Sequence, residues 1–212
     1  MRQGEERDRV LSASGVSRET AEALDLYVAQ LKRWQGIKNL VGPATLAEVW
    51  TRHIADALQL RDLAPAAETW LDLGSGAGIP GLILAIAGRE RPGFRVDLVE
   101  SNARKCAFLT ETARLTGAPA RVHNARIEAV AAEHRGVAVV CARALAPLTQ
   151  LLAWSEPLLT TGTVGLFPKG REVDAELTVA AQRWRFTYDL APSRTEPEAR
   201  IVRVTALSRM DS

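Results

Sequence analysis

The chain has 212 residues, 47% hydrophobic and 25% charged, with a formal net charge of +2. That length suits one well-buried domain, and that composition excludes compositional disorder. No apolar run approaches the roughly 18 residues of a membrane span and the charged first nine residues lack a signal peptide's apolar core, so a cytoplasmic monomer is expected, while so small a charge does not by itself mark a nucleic-acid binder.

Residues 1–16 are charged or small and are expected to fray. From Ser17 to Trp34, Ala21, Leu24, Tyr27, Val28 and Leu31 recur at helical spacing, with Ser17 as N-cap and Gly36 as the stop. Residues 37–43 read as a loop by their Gly-Pro close. Thr45 and Glu48 have capping-box spacing, and the helix they open carries Leu46, Val49, Trp50, Ile54, Ala57 and Leu58 on its apolar side. Residues 1–65 therefore read as a helical cap of the same domain, with 66–212 as its main body.

From Thr69 the pattern alternates. Strand-like runs at 69–73, 94–100, 120–123, 137–142 and 162–167 are separated by helical stretches near 79–88, 103–117, 126–132 and 147–159, followed by 171–182. This order predicts an α/β fold with a parallel sheet covered on both faces. Trp184–Leu190 and Arg200–Leu207 are two further strand-like runs with no helix between them, which predicts an antiparallel finish.

Cys106 and Cys141 lie in apolar segments and read as buried free thiols. His53, His123 and His134 are scattered and give no zinc spacing, so no metal is expected. Between Arg89 and Arg126 basic residues outnumber acids, which suits either a phosphate-facing surface or a solvated helix face. The tryptophans, Trp34 and Trp50 above all, read as packing residues rather than stacking platforms.

Residues 71–81, Leu-Asp-Leu-Gly-Ser-Gly-Ala-Gly-Ile-Pro-Gly, carry the chemistry. A strand, a glycine turn and a helix N-terminus make a cofactor cradle. Two ligands compete for it. Gly76-x-Gly78-x-x-Gly81 matches the dinucleotide fingerprint, with Glu100 at the distance of a ribose-binding acid, which would make a nicotinamide or flavin enzyme. Against it, Pro80 suits a first helical position and starts the helix after Gly78. Asp72 sits inside the strand, and the remaining chain is short for a second, substrate-binding half. The other ligand is S-adenosylmethionine: its amino-acid part against the glycine backbone, its ribose on Glu100, its adenine beside Glu128 or a neighbouring backbone group. Glu100 also has a purely structural reading, an acid capping the next helix.

The stretch Asp72–Gly81 resembles the first motif of the bacterial 16S rRNA guanine-N7 methyltransferases, the RsmG or GidB family, and its Ile-Pro-Gly ending separates it from generic methyltransferase loops. Further matches follow in order: Glu100-Ser-Asn-Ala-Arg-Lys-Cys-Ala-Phe-Leu109, Asn124-Ala-Arg-Ile-Glu128, Cys141-Ala-Arg-Ala144 and Phe167-Pro-Lys-Gly170. In the cap, Trp34, Asn39-Leu40 and Arg52-His53-Ile54-x-Asp56 match as well. The resemblance spans roughly residues 20–207. It implies a class I S-adenosylmethionine-dependent methyltransferase fold: a Rossmann-like, mostly parallel seven-stranded sheet with an antiparallel C-terminal pair. It implies methyl transfer to N7 of one guanine in the decoding-region loop of 16S rRNA, on free rRNA or the small ribosomal subunit.

Carried over by position, Gly74, Gly76, Gly78 and Ile79 would meet the cofactor in the first loop, and Ile127 and Glu128 would border its adenine. Arg143 matches a cofactor-side arginine after the fourth strand. Lys169 matches a lysine expected to face the RNA. Glu100 stands where the family often has Asp, and Val41 where many members have Thr. Lys38, Asn39, Arg52 and His53 are the further RNA-facing candidates. Guanine N7 carries a lone pair at neutral pH, so the reaction needs alignment rather than a general base. No single catalytic residue is therefore expected, and Arg143 is assigned a positioning role, against the alternative of a structural ion pair. An RNA-binding module on the same scaffold and a nicotinamide oxidoreductase remain the competing readings.

Overall fold

The structure, a computed structural model, describes residues 3–36, 40, 42 and 46–210. Helix α1 (Gln3–Ser14) stands where fraying was expected. Its order comes from contacts remote in sequence. Val10 is buried, Arg7 donates to both carboxylate oxygens of Asp25 at 2.7 and 2.6 Å, and Glu6 accepts the Thr51 N–H at 2.8 Å. Helix α2 (Arg18–Gln35) begins as the sequence predicts, with Ser17 Oγ accepting the Thr20 N–H, and buries Leu24, Tyr27 and Leu31.

Most of the expected loop, and Thr45 of the capping box, lie outside the described residues. The next helical segment is not one regular helix. It runs as a π-helix over Trp50–Ala55 and continues as α3 (Asp56–Leu63). The expected apolar set packs inward, with Val49, Trp50, Ile54, Ala57 and Leu58 buried. The wider π turn also carries His53 into the interior, a distortion frequent at functional sites.

The remainder alternates as predicted: β1 (Thr69–Leu73), α4 (Gly81–Ala87), β2 (Arg95–Glu100), α5 (Ala103–Thr116) and β3 (Ala120–Asn124). A short α6 (Ile127–Val130) and a 3-10 turn (Ala131–His134) lead to β4 (Val139–Cys141). Then come α7 (Leu148–Leu159), β5 (Val164–Lys169), α8 (Val173–Ala181), β6 (Trp184–Pro192) and β7 (Arg200–Arg209). The sheet order is β3-β2-β1-β4-β5-β7-β6. The first five strands are parallel, and β7 inserts antiparallel between β5 and β6.

Alternation along β1 divides the core. Trp70 joins Leu24, Tyr27, Leu82 and Phe108 on one face, while Leu71 and Leu73 join Leu148, Leu152 and Trp184 on the other. The order reverses between β1 and β4. Ligands of open parallel sheets bind outside the strand C-termini at such a point.

Candidate functional site

The β1–α4 connection forms one wall of the site. Gly74, Gly76 and Gly78 hold φ of +66°, +55° and +82°, a region that penalises any side chain. At Gly76 an added Cβ would meet nothing nearer than Gly74 O at 3.8 Å, so bare backbone faces open space. The expected helix start is corrected by the structure. Pro80 precedes α4 rather than opening it, after a cis Ile79–Pro80 bond, and the first helical residue is Gly81. The cause is Asp72. Its carboxylate, fully buried on β1, accepts the Gly81 N–H at 3.1 Å. A Cβ at Gly81 would stand 2.5 Å from that carboxylate, so only glycine fits. Burial pushes the Asp72 carboxyl up to about 7.

A cavity of about 550 Å³ lies against this loop, within the range of small-molecule sites, about 300–1,000 Å³. Glu100, at the end of β2, is 8% exposed and lines it. Its two oxygens accept the Gly76 N–H at 3.0 Å and the Asn102 N–H at 2.8 Å. Asn102 is the N-cap of α5, so Glu100 also fixes the entry of that helix. Each oxygen keeps a lone pair for a further donor. A paired carboxylate that can still take two hydroxyls, beside bare glycine backbone, suits a nucleoside with an attached amino acid. Ile79, Ile127, Glu128 and Trp154 extend the lining. Glu128 already accepts the Trp154 indole N–H at 2.9 Å.

Arg143 follows β4 and borders both this cavity and a second one of about 490 Å³. Its guanidinium donates to His53 Nδ1 at 3.2 Å and lies 3.5 Å from Asp56. Burial lowers its pKa, opposed by Asp56. Because arginine only donates, Nδ1 of His53 is an acceptor and the ring proton sits on Nε2, which has no acceptor among the described residues. His53 is 5% exposed, and burial first, then Arg143, lowers its pKa to about 4. Ala144, in the shared wall, is the one non-glycine residue with positive φ among the described residues, +51°, the kind of strain that collects at functional sites.

The family described as rRNA small subunit methyltransferase G matches residues 20–196. The chain belongs to this family. It is 80% identical, over 96% of both chains, to the ribosomal RNA small subunit methyltransferase G of Methylobacterium radiotolerans. It is 49% identical to that of Parvibaculum lavamentivorans, over 93% of this chain and 88% of the relative. Among solved structures, the O-methyltransferase TomG of Streptomyces achromogenes, in complex with SAM, aligns with a TM-score of 0.58 and 14% identity over 97% of this chain and 99% of that one. A methyltransferase from Geobacter sulfurreducens aligns with a TM-score of 0.60 and 12% identity over 84% and 88%. The expected methyltransferase fold is thereby established.

In this rRNA methyltransferase family member, the residues expected to face RNA separate into three groups. Lys38 and Asn39 lie outside the described residues. Arg52 is exposed at the second cavity, 3.6 Å from Glu196. His53 and Lys169 are buried, His53 in the lining of the first cavity and Lys169 in that of the second. A buried histidine with its pKa near 4 carries no charge for a phosphate at neutral pH. Lys169, 9% exposed, donates to Ala146 O at 2.8 Å and pairs with Glu176 at 2.6 Å. Glu176 also accepts the Leu148 N–H at 2.6 Å. The lysine is therefore a clamp on the 143–147 segment rather than an open cation.

Cys106 and Cys141 are buried free thiols as expected. Trp154 packs against the core as expected of the tryptophans and also borders the cavity. Asp56, Tyr27, Ala144 and Leu145 were not singled out as site residues. Asp56 and Ala144 stand in motifs that carry the resemblance and Tyr27 on the apolar face of the second helix, while Leu145 carries no sequence signal.

Proposed function

We propose that this chain transfers a methyl group from S-adenosylmethionine to N7 of an unpaired guanine in the decoding-region loop of 16S rRNA. The observation that carries the reading is the pair of cavities meeting at Arg143, Ala144 and Leu145, on a chain of the rRNA small subunit methyltransferase G family. The bound donor supplies an electrophilic methyl on a sulfonium. In the first cavity the backbone at Gly74–Gly78 and the side chain of Ile79 face its amino-acid part. Glu100 accepts its ribose hydroxyls, and Ile127 and Glu128 border its adenine.

The second cavity receives the base. Asp56 and Glu196 border it and are acceptors for the N–H groups of a guanine edge, while Arg52 stands where an RNA phosphate can approach. Arg143 holds the boundary, so that N7, methyl and sulfur line up. Alignment of this kind is worth up to about 7–11 kcal/mol. In A-form RNA the N7 edge lies in a deep, narrow groove that side chains cannot read, so the acceptor is single-stranded or splayed out. A cytoplasmic location and a monomeric state belong to this reading. Among the described residues no helix is long and apolar enough to cross a membrane.

The test is transfer of radiolabel from S-adenosylmethionine to naked 16S rRNA and to intact small subunits, followed by nucleoside analysis. Label in N7-methylguanosine is expected. Donor binding with no transfer to either substrate would leave an RNA-binding module, and nicotinamide binding in its place an oxidoreductase.

A further inference from the structure

The three histidines are scattered in sequence, but two of them are neighbours in space, on the sheet face opposite Asp72. Asp97 lies on β2 with its side chain on the same face as Val99, His123 lies on the adjacent edge strand β3, and His134 ends the 3-10 turn. One nitrogen from each ring and one Asp97 oxygen lie within 4.8 Å of one another. His123 Nε2 is 2.7 Å from Asp97 Oδ1, and His134 Nε2 is 3.6 Å from the same oxygen. The three side chains are only 17%, 14% and 12% exposed, for His123, His134 and Asp97 respectively.

The tautomer of His134 follows from its other nitrogen. Nδ1 lies 2.9 Å from Val130 O, and a carbonyl only accepts, so the proton sits on Nδ1. In the neutral ring Nε2 then presents a lone pair toward a carboxylate oxygen that also has only lone pairs. Nε2 and the Asp97 oxygen are thus two acceptors 3.6 Å apart, an arrangement that a metal cation between them would stabilise. A histidine whose remote N–H is fixed by a backbone carbonyl is the usual arrangement of a metal-bound imidazole. The 3.6 Å separation is close to the edge of a tetrahedral zinc site, about 3.3 Å for bonds of about 2.0–2.1 Å, while the 2.7 Å His123–Asp97 contact is a direct hydrogen bond that a bound ion would replace.

We propose that Asp97, His123 and His134 bind one borderline divalent transition-metal cation of the zinc class. Two imidazoles and one carboxylate suit such an ion better than magnesium or calcium, which prefer all-oxygen sets. Partial exposure leaves the fourth position to water. The bound ion ties the edge strand β3 and the 3-10 turn to β2. It thereby anchors the segment that continues from Ile127 at the first cavity.

The experiment is calorimetric titration of chelator-stripped protein with Zn²⁺ at neutral pH, repeated with Co²⁺ for its visible spectrum. One equivalent is expected to bind at low micromolar concentration or tighter, raising the melting temperature reversibly to chelator. Co²⁺ is expected to give a tetrahedral or five-coordinate spectrum with no thiolate charge-transfer band. Asp97→Asn, close to isosteric, and His134→Gln are each expected to weaken binding at least about tenfold while keeping the native circular dichroism. No saturable binding by the parent protein, a thiolate band, or undiminished affinity in the folded variants would overturn the site and leave a hydrogen-bonded histidine–aspartate pair.

Discussion

Asp72 and His53 are buried titratable groups with opposite linkage. Asp72 keeps its proton to about 7 in the folded chain, against 3.8 for an ordinary aspartate. Between those values the folded state binds more protons than the unfolded one, so this residue makes stability fall as pH rises. His53 refuses its proton until about 4, against an ordinary 6.5. In that window the unfolded state binds more protons, so this residue makes stability fall as pH drops. The two slopes oppose each other between about pH 4 and 6.5. Asp72→Asn, which keeps an acceptor for the Gly81 N–H, is expected to expose a steeper acid loss of stability in denaturant titrations across pH 4–7. His53→Gln is expected to tilt the same curve the other way. Parallel curves for both variants and the parent would refute the pair.

Glu100 offers a sharper test of the donor cavity at the same scale. Its oxygens already accept two backbone N–H groups, from Gly76 and Asn102. Glu100→Gln places an amide donor against one of them and removes charge from the ribose position. Hydrogen bonds to charged groups contribute about 1.5–3 kcal/mol. S-adenosylmethionine affinity, read by calorimetry, is therefore expected to fall on the order of tenfold or more, together with some loss of stability. Unchanged affinity would mean that the carboxylate serves the helix entry alone.

Among the elements, α2 acts on the site without touching ligand. The Tyr27 hydroxyl, which burial holds in its neutral form, donates to Ala77 O in the glycine loop at 3.0 Å. Tyr27→Phe leaves that carbonyl unpaired in a buried setting, at a cost of about 1–3 kcal/mol. It is expected to lower stability in urea titration and to weaken donor binding with little change in the maximal rate. A maximal rate that falls as steeply as affinity would mean the helix serves the chemistry as well. The cap and the sheet share one hydrophobic core, from Leu24 and Tyr27 to Leu82 and Phe108. They are expected to unfold in a single transition, with near-ultraviolet signal and secondary structure lost together. Two separated transitions would make residues 1–65 a domain of their own.

The strands and most helices were legible because apolar periodicity and caps are local signals: Ser17, the glycines after β1, and the apolar faces of α2 and α5. Helix α1 was not, because its order rests on Arg7–Asp25 and Glu6–Thr51, partners 18 and 45 residues apart. The π turn at His53 has no periodic signature. Glu100, the last residue of β2, could be placed from its spacing to the glycine motif. The orientation of Lys169 could not, since its partner Glu176 approaches from a helix whose packing sets the geometry. The second cavity joins Asp56, Arg143 and Glu196, which only the closed fold brings together.

At the scale of the whole molecule, a net charge of +2 cannot supply long-range capture of rRNA, so affinity for the phosphate backbone must come from particular exposed cations. Each phosphate contact displaces condensed counterions and steepens the fall of log affinity with log salt, by roughly 0.7 per contact on single strands. Arg52 is 46% exposed at the second cavity, and its pairing with Glu196 at 3.6 Å is an exposed contact of little strength, readily exchanged for a phosphate. Lys169 is already committed to Glu176 and Ala146 O. The two residues are therefore expected to separate in one experiment. Arg52→Ala should weaken 16S rRNA binding and reduce the salt slope by about one contact, most visibly below 0.1 M salt, with turnover on bound RNA largely kept. Lys169→Ala should leave the salt slope where it was and lower turnover, because Glu176 loses its counter-charge and the segment carrying Arg143 and Ala144 loses its clamp. Lys169→Arg, which keeps the charge but not the length, should recover turnover only in part. A reduced salt slope in Lys169→Ala would return the lysine to the RNA-facing set and require it to swing out of its pair when RNA docks.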